Sequence, residues 1–97
     1  MRFIWHPGTS AENLRLRGFD FAFATLIFEG HTLERHDARR DYGERRTIAI
    51  GLAQGIALTV VYTDRLDATG ATTRRLISAR RSNRREREAY VRALEGP

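Results

Sequence analysis

Residues 72–94 read TTRRLISARRSNRREREAYVRAL and carry 8 of the chain's 17 arginines. Thr72, Thr73, Leu76 and Ile77 suit a pleated surface, so residues 72–81 are expected to form a strand. Ala89, Tyr90, Ala93 and Leu94 fall on one stripe of a helix. Between the two lies Asn83, followed three residues later by Glu86, which is the spacing of a capping box. A basic strand therefore feeds directly into a basic helix. Positive charge concentrated on two consecutive elements points to a polyanionic partner.

The remaining elements are read outward from this stretch. Three strands are expected in succession, over residues 45–52, 56–65 and 72–81, with turns at Gln54-Gly55 and around Asp67 and Gly70. Connections this short force antiparallel neighbours. Upstream, residues 2–5 alternate as a short first strand, ended by Pro7 and Gly8. Thr9 with Glu12 reads as a capping box for a helix over residues 10–17, stopped by Gly18. Asp20 caps a second helix over residues 21–28, whose run FDFAFATLIF is the richest apolar segment of the chain. A polar stretch follows, with a short edge strand near residues 32–36 and a turn at Asp41 and Gly43. The expected fold class is α+β: an antiparallel sheet of four to five strands, two N-terminal helices and a C-terminal helix.

Length and composition bound the rest. Ninety-seven residues are expected to form a single domain over residues 1–97, with a frayed end at Gly96 and Pro97. Every basic residue is arginine and the net charge is +5. A planar guanidinium fork gives bidentate contacts to phosphate that an ammonium cannot. With no cysteine, the chain has neither disulfides nor a thiolate nucleophile. No apolar run reaches the roughly 18 residues of a membrane span, and MRFIWHPG is too short in apolar residues for a signal peptide. A cytoplasmic protein is expected.

Strand periodicity sorts the side chains. Ile48, Ile50 and Leu52 alternate with Arg45, Thr47, Ala49 and Gly51. Leu58, Val60 and Tyr62 alternate with Thr59, Val61, Thr63 and Arg65. Ile77 and Ala79 alternate with Arg74, Leu76, Ser78 and Arg80. If the apolar sets lie together against the helices, the opposite face gathers Arg45, Arg65, Arg74, Arg80, Thr47, Thr59, Thr63 and Ser78. That face is a phosphate-binding surface, or simply a solvated one. Arg81 joins Arg80 just before the C-terminal helix, where an anion is favoured.

Catalytic motifs of known spacing are absent: there is no nucleophile elbow, glycine-rich phosphate loop or zinc signature. His31 and His36 would face opposite sides of a strand, so no metal site and no cofactor are expected. His36 beside Asp37 is one candidate base. Glu44, next to Arg45 and Arg46, is another, kept ionised by its neighbours. Cleavage of RNA without a metal needs a base for the 2′-hydroxyl, cations for the phosphate oxygens and an acid for the leaving group. Arginine suits the second role, so these residues argue for phosphate binding more strongly than for proton transfer.

Several pieces together resemble the BrnT toxins of bacterial type II toxin–antitoxin systems. They are Trp5-x-Pro7; Asn13-Leu14-Arg15 followed by Gly18 and Phe21; Glu44-Arg45 with Gly51; Val60-Val61-Tyr62-Thr63-x-Arg65; and Arg75-Leu76-Ile77-Ser78-Ala79-Arg80 followed by Glu86 and Tyr90. The resemblance implies a small RelE-like ribonuclease fold, toxicity through RNA cleavage, neutralisation by a DNA-binding BrnA-like antitoxin, and repression of the pair's own operon, with dimers within the toxin–antitoxin complex. On this reading Glu44, Arg45, Arg65 and Arg80 are the catalytic candidates. Arg74, Arg81, Ser78 and Thr63 are the RNA-binding ones. The sequence departs from the family at two places: His6, usually acidic, and Arg17, usually histidine. A nucleic-acid-binding module or an inactive relic of such a toxin is the alternative.

Overall fold

The structure, a computed structural model, describes residues 1–96, so the expected fraying at Pro97 lies outside it. The elements run β1 (Arg2–Ile4), α1 (Pro7–Arg17), α2 (Phe21–Ala24, continued as a 3-10 turn over Thr25–Glu29), β2 (Leu33–His36), β3 (Thr47–Ala53), β4 (Ile56–Leu66), β5 (Thr72–Arg81) and α3 (Arg84–Glu95). They form one five-stranded sheet in the order β1-β5-β4-β3-β2. The α+β class is as expected. The sheet is antiparallel from β2 to β5, but β1 joins β5 in parallel, with Phe3 opposite Arg74. A parallel neighbour is possible here because the whole chain from α1 to β4 makes the crossover.

Local chemistry accounts for the ends of the helices. Asp20 accepts from the Phe23 amide and starts α2. Gly18, at φ 83°, stops α1 in the left-handed conformation that glycine adopts without strain. The start of α1 differs from expectation. The helix begins at Pro7, and His6 is its cap, with Nδ1 accepting from the Thr9 amide at 3.2 Å. Pro7 at the first helical position suits this earlier start, because its missing N–H would have had no partner there.

Strand register overturns the expected sorting of the faces. Gln54 and Gly55, at φ 48° and 80°, make a two-residue hairpin turn. That turn puts Ala53 opposite Ile56, and hence Gly51 opposite Leu58, Ala49 opposite Val60 and Thr47 opposite Tyr62. Opposed residues share a face. The helix-facing side of β3 is therefore the small-residue set, and Ile48, Ile50 and Leu52 lie on the other side with Val61, Thr59 and Ala57. The small residues let α2 come close: a Cβ on Gly51 would lie 2.9 Å from Cβ of Ile27. Phe19, Phe21, Ala24 and Ile27 pack there against Ala49, Ala53, Leu58, Val60, Tyr62, Leu76 and Ala79.

The Ile48/Ile50 side is also covered. Ala89 and Arg85 of α3 line a cleft with Leu33, Ile48 and Ile50, and the buried Tyr90 donates its hydroxyl to the His31 carbonyl at 2.8 Å. The sheet thus carries α1 and α2 on one face and α3 on the other. The Asn83–Glu86 capping box that starts α3 is present as expected.

β5 contains a bulge. Val61 pairs with Ser78 but Tyr62 pairs with Leu76, so Ile77 is an extra residue. Beyond it the alternation inverts. Arg80 and Ser78 share the α3 side with Arg75, whereas Arg74 and Arg81 share the α1/α2 side with Leu76 and Ala79. The expected single basic face is therefore divided.

Candidate active site

Glu44 lies in the loop between β2 and β3, and three arginines converge on it. Arg75 donates from Nη2 to both carboxylate oxygens at 2.9 and 3.0 Å, Arg46 donates from Nε at 3.2 Å, and Arg65 stands 3.7 Å away. Burial pushes the Glu44 carboxyl up, but the hydrogen bond from Arg46 and the charges of Arg75 and Arg46 outweigh it and hold the group below the usual glutamate range. Glu44 is thus an ionised carboxylate in a partly desolvated, cationic setting. The Nε of Arg75 is buried without an acceptor.

The loop that carries Glu44 is fixed at both ends. The Asp37 amide donates to the Arg46 carbonyl at 2.8 Å, and the Thr63 hydroxyl donates to the Arg45 carbonyl at 2.8 Å. Asp37 is buried and takes both forks of Arg39 at 2.8 Å. Those hydrogen bonds hold its carboxyl far below the ordinary aspartate range in spite of burial, with a smaller contribution from the Tyr42 hydroxyl. His36 has no share in this: Asp37 serves Arg39, and His36 is exposed on edge strand β2.

Arg80 donates to both oxygens of Glu86 at 2.7 and 2.8 Å, which ties β5 to the first turn of α3. Arg39 lies near enough for its charge to oppose that of Arg80. Five guanidiniums (Arg39, Arg46, Arg65, Arg75 and Arg80) are thus held by three carboxylates, Asp37, Glu44 and Glu86. These pairs are spread along the sheet, with Arg80 opposite Thr59 and Arg75 opposite Thr63 on β4, and the excess positive charge is greatest around Glu44, which suits a phosphodiester.

The sequence-derived site is only partly brought together. Glu44 and Arg65 meet, and Arg45 is exposed in the same loop. Thr63 is buried, its hydroxyl satisfied by the Arg45 carbonyl, so it holds the loop rather than facing solvent. Arg74 is on the opposite face. It forms two 2.8 Å hydrogen bonds with Asp64, and its guanidinium lies 3.8 Å from the Tyr62 ring centre and 4.7 Å from that of Phe28. Beside it Tyr62 donates to Glu34, and burial first, then that bond, pushes the phenol up to about 12. Arg81 also lies on that side, in a cleft of about 270 Å³ with Leu14, Phe19, Phe23 and Ile56. Ser78 is half-buried beside Val61, at a groove between β5 and α1. The bulge at Ile77 parts Arg74 from Ser78 and Arg80, whereas Arg81 lies opposite Arg80 by strand alternation alone.

Arg75, Arg46, Asp37, Arg39 and Tyr42 were not found by strand periodicity. The signals for most of them are local. Asp37-x-Arg39 and Glu44-x-Arg46 are acid–base pairs two residues apart, in a stretch otherwise read as a polar turn. Arg75 becomes visible only once the bulge is known. Among the described residues no three His, Asp or Glu side chains gather as metal ligands, and no helix is long and apolar enough to cross a membrane.

The two departures from the family pattern have structural roles. His6 does with an imidazole nitrogen what an aspartate at a helix N-cap does with a carboxylate. Arg17 donates to the Asn13 side chain at 3.2 Å and to the Ala79 carbonyl at 2.8 Å, closing the part of the β5 edge that β1 is too short to reach.

No curated protein sequence matches the chain. The family described as "Ribonuclease toxin, BrnT, of type II toxin-antitoxin system" matches residues 5–86, which include α1, the Glu44 loop, all of β5 and the Arg80–Glu86 clamp. With most of its length matched, this chain belongs to the BrnT family of ribonuclease toxins.

Proposed function

We propose that this chain is a metal-independent endoribonuclease, a single cytoplasmic domain over residues 1–97 that arrests growth by cutting RNA. Glu44 is the general base for the 2′-hydroxyl. Arg65 and Arg80 bind the scissile phosphate and stabilise its developing charge, and Arg45 assists from the same loop. Arg75 is added to that set, because it touches both oxygens of Glu44. The observation that carries this reading is the convergence of Arg46, Arg65 and Arg75 on one ionised carboxylate. A base must be unprotonated and close to where the phosphate is held, and an ionised carboxylate among guanidiniums supports that reading.

The neutralising partner is a BrnA-like DNA-binding antitoxin, and the complex represses its own operon, with toxin dimers inside it. Induced expression of the wild type and of Arg80→Ala, followed by RNA integrity and growth measurements, tests the toxin reading. Growth and RNA left intact by the wild type would sink it.

A second reading has its own support. Arg80 is already neutralised by Glu86, and Arg74 by Asp64. Guanidiniums engaged internally are less free to stabilise a transition state, which supports a non-catalytic nucleic-acid-binding module, bound through the remaining arginines, or an inactive relic. Salt-sensitive RNA binding without cleavage by purified protein favours that reading. Specific cleavage in the presence of a chelator rules it out.

A further inference from the structure

The geometry points to Tyr42 as a stacking platform for a nucleobase of single-stranded RNA, with Arg40 as the group the base displaces. This rests on the ribonuclease reading above and adds to it a base-binding subsite two residues from Glu44.

Tyr42 is half-exposed at the tip of the β2–β3 loop. The Arg46 guanidinium lies over its ring at 4.0 Å and is itself anchored by Glu44 at 3.2 Å, so this contact is part of the fixed framework. The ring is therefore held by the anchored Arg46. The second guanidinium over the ring, Arg40 at 4.8 Å, differs. It is exposed and forms no ion pair among the described residues. An exposed cation–π contact is weaker than a stacked base, which every nucleotide can supply through its π-face. A base therefore replaces Arg40 on the ring, and the freed Arg40 meets the adjoining phosphate with its planar fork. Stacking is tolerant of base identity, so the subsite orders the strand beside Glu44 more than it selects a sequence.

The test uses the full-length protein and a short oligoribonucleotide with 2′-O-methyl groups, which binds without being cut. A matched set of oligonucleotides carries one abasic position, moved along the strand. Tyr42→Ala is expected to raise Kd about tenfold, within the range found for loss of one base–aromatic stack. Tyr42→Phe is expected to stay within about twofold of wild type. At one position the abasic oligonucleotide weakens wild-type binding by the same factor. Combined with Tyr42→Ala it adds no further loss, which a merely structural role for Tyr42 would not produce. If wild type binds and Tyr42→Ala binds equally well, or the two losses add at every position, the platform is refuted while the ribonuclease reading stands. If wild type neither binds nor cuts RNA, both fall.

Discussion

Nη2 of Arg75 lies 2.9 Å from one carboxylate oxygen of Glu44 and 3.0 Å from the other, across 31 residues of sequence. This contact joins the β2–β3 loop to the middle of the sheet. It also separates the parts of the two arginines, Arg75 and Arg65, that reach Glu44 from the sheet. The Arg75 side chain is 41% exposed and braces Glu44, whereas that of Arg65 is 74% exposed and stands at 3.7 Å. Arg65→Ala is expected to reduce cleavage by about 10²-fold with the unfolding midpoint unchanged. Arg75→Ala reduces both. Initial rates on an oligoribonucleotide, set beside urea denaturation, distinguish them. Equal effects of the two variants on stability would contradict this division.

Glu44→Gln keeps the shape of the group and removes its basicity. Turnover is expected to fall by about 10²-fold or more wherever the wild-type Glu44 is ionised. Because the folded carboxyl titrates below the usual glutamate range, the wild-type rate does not fall on account of Glu44 until the pH drops below about 4.3. A pH–rate profile whose acid limb lies near neutrality would assign the base elsewhere.

Arg80 and Glu86 permit a separation of clamp from catalyst. Arg80→Ala breaks a two-pronged pair and costs about 1 kcal/mol of stability. On the catalytic assignment its activity falls much further than that loss explains. Glu86→Gln weakens the hold on Arg80 without removing the guanidinium, so cleavage is expected to match or exceed wild type. If the two variants lose activity together, in step with their unfolding, Arg80 is only a clamp.

The helix cap at His6 admits a gain. Asp is a stronger cap and places a negative charge at the positive end of α1, so His6→Asp is expected to stabilise by about 0.5–1 kcal/mol. Arg17→Ala leaves the Ala79 carbonyl without its donor and costs about 1 kcal/mol. Denaturant titrations read both directly. A destabilised His6→Asp protein would show that the imidazole does more than cap.

Acid stability follows from Asp37. Its folded-state carboxyl titrates far below the unfolded aspartate value of about 3.9, chiefly through the Arg39 hydrogen bonds. Its contribution is therefore present above about pH 4 and is lost as the pH falls below it. Asp37→Asn is expected to be less stable than wild type at pH 7, and the two should converge towards pH 2–3. A constant gap between their denaturation midpoints over that range would refute the assignment.

The elements of this fold were largely legible because their signals are local. Asn83 with Glu86, Asp20 before the FDFAFATLIF run and Gly18 each act within one helical turn. The faces were less legible, although one part was recoverable. A two-residue loop at Gln54-Gly55 forces Ala53 opposite Ile56, and counting back from it puts Ala49 and Gly51 beside Val60 and Leu58. Hydrophobicity pointed instead to Ile48 and Ile50, because it cannot tell a face under α2 from one under α3. The bulge at Ile77 has no local signature, yet it decides that Arg75, and not Arg74, shares a face with Ser78 and Arg80. The site inherits this: Glu44 and Arg65 were picked out from the strand and turn pattern, whereas Arg75, which also reaches Glu44, was not.

The parallel pairing of β1 with residues 73–75 of β5 carries a consequence for folding. Residues 2–4 find their place only once β5, the last strand of the sheet, is there to receive them. Glu44 likewise meets Arg75 only after β5 has been made. Contacts so distant along the chain form late. The Glu44 loop thus stays without its Arg75 brace until residues 72–81 have joined the sheet.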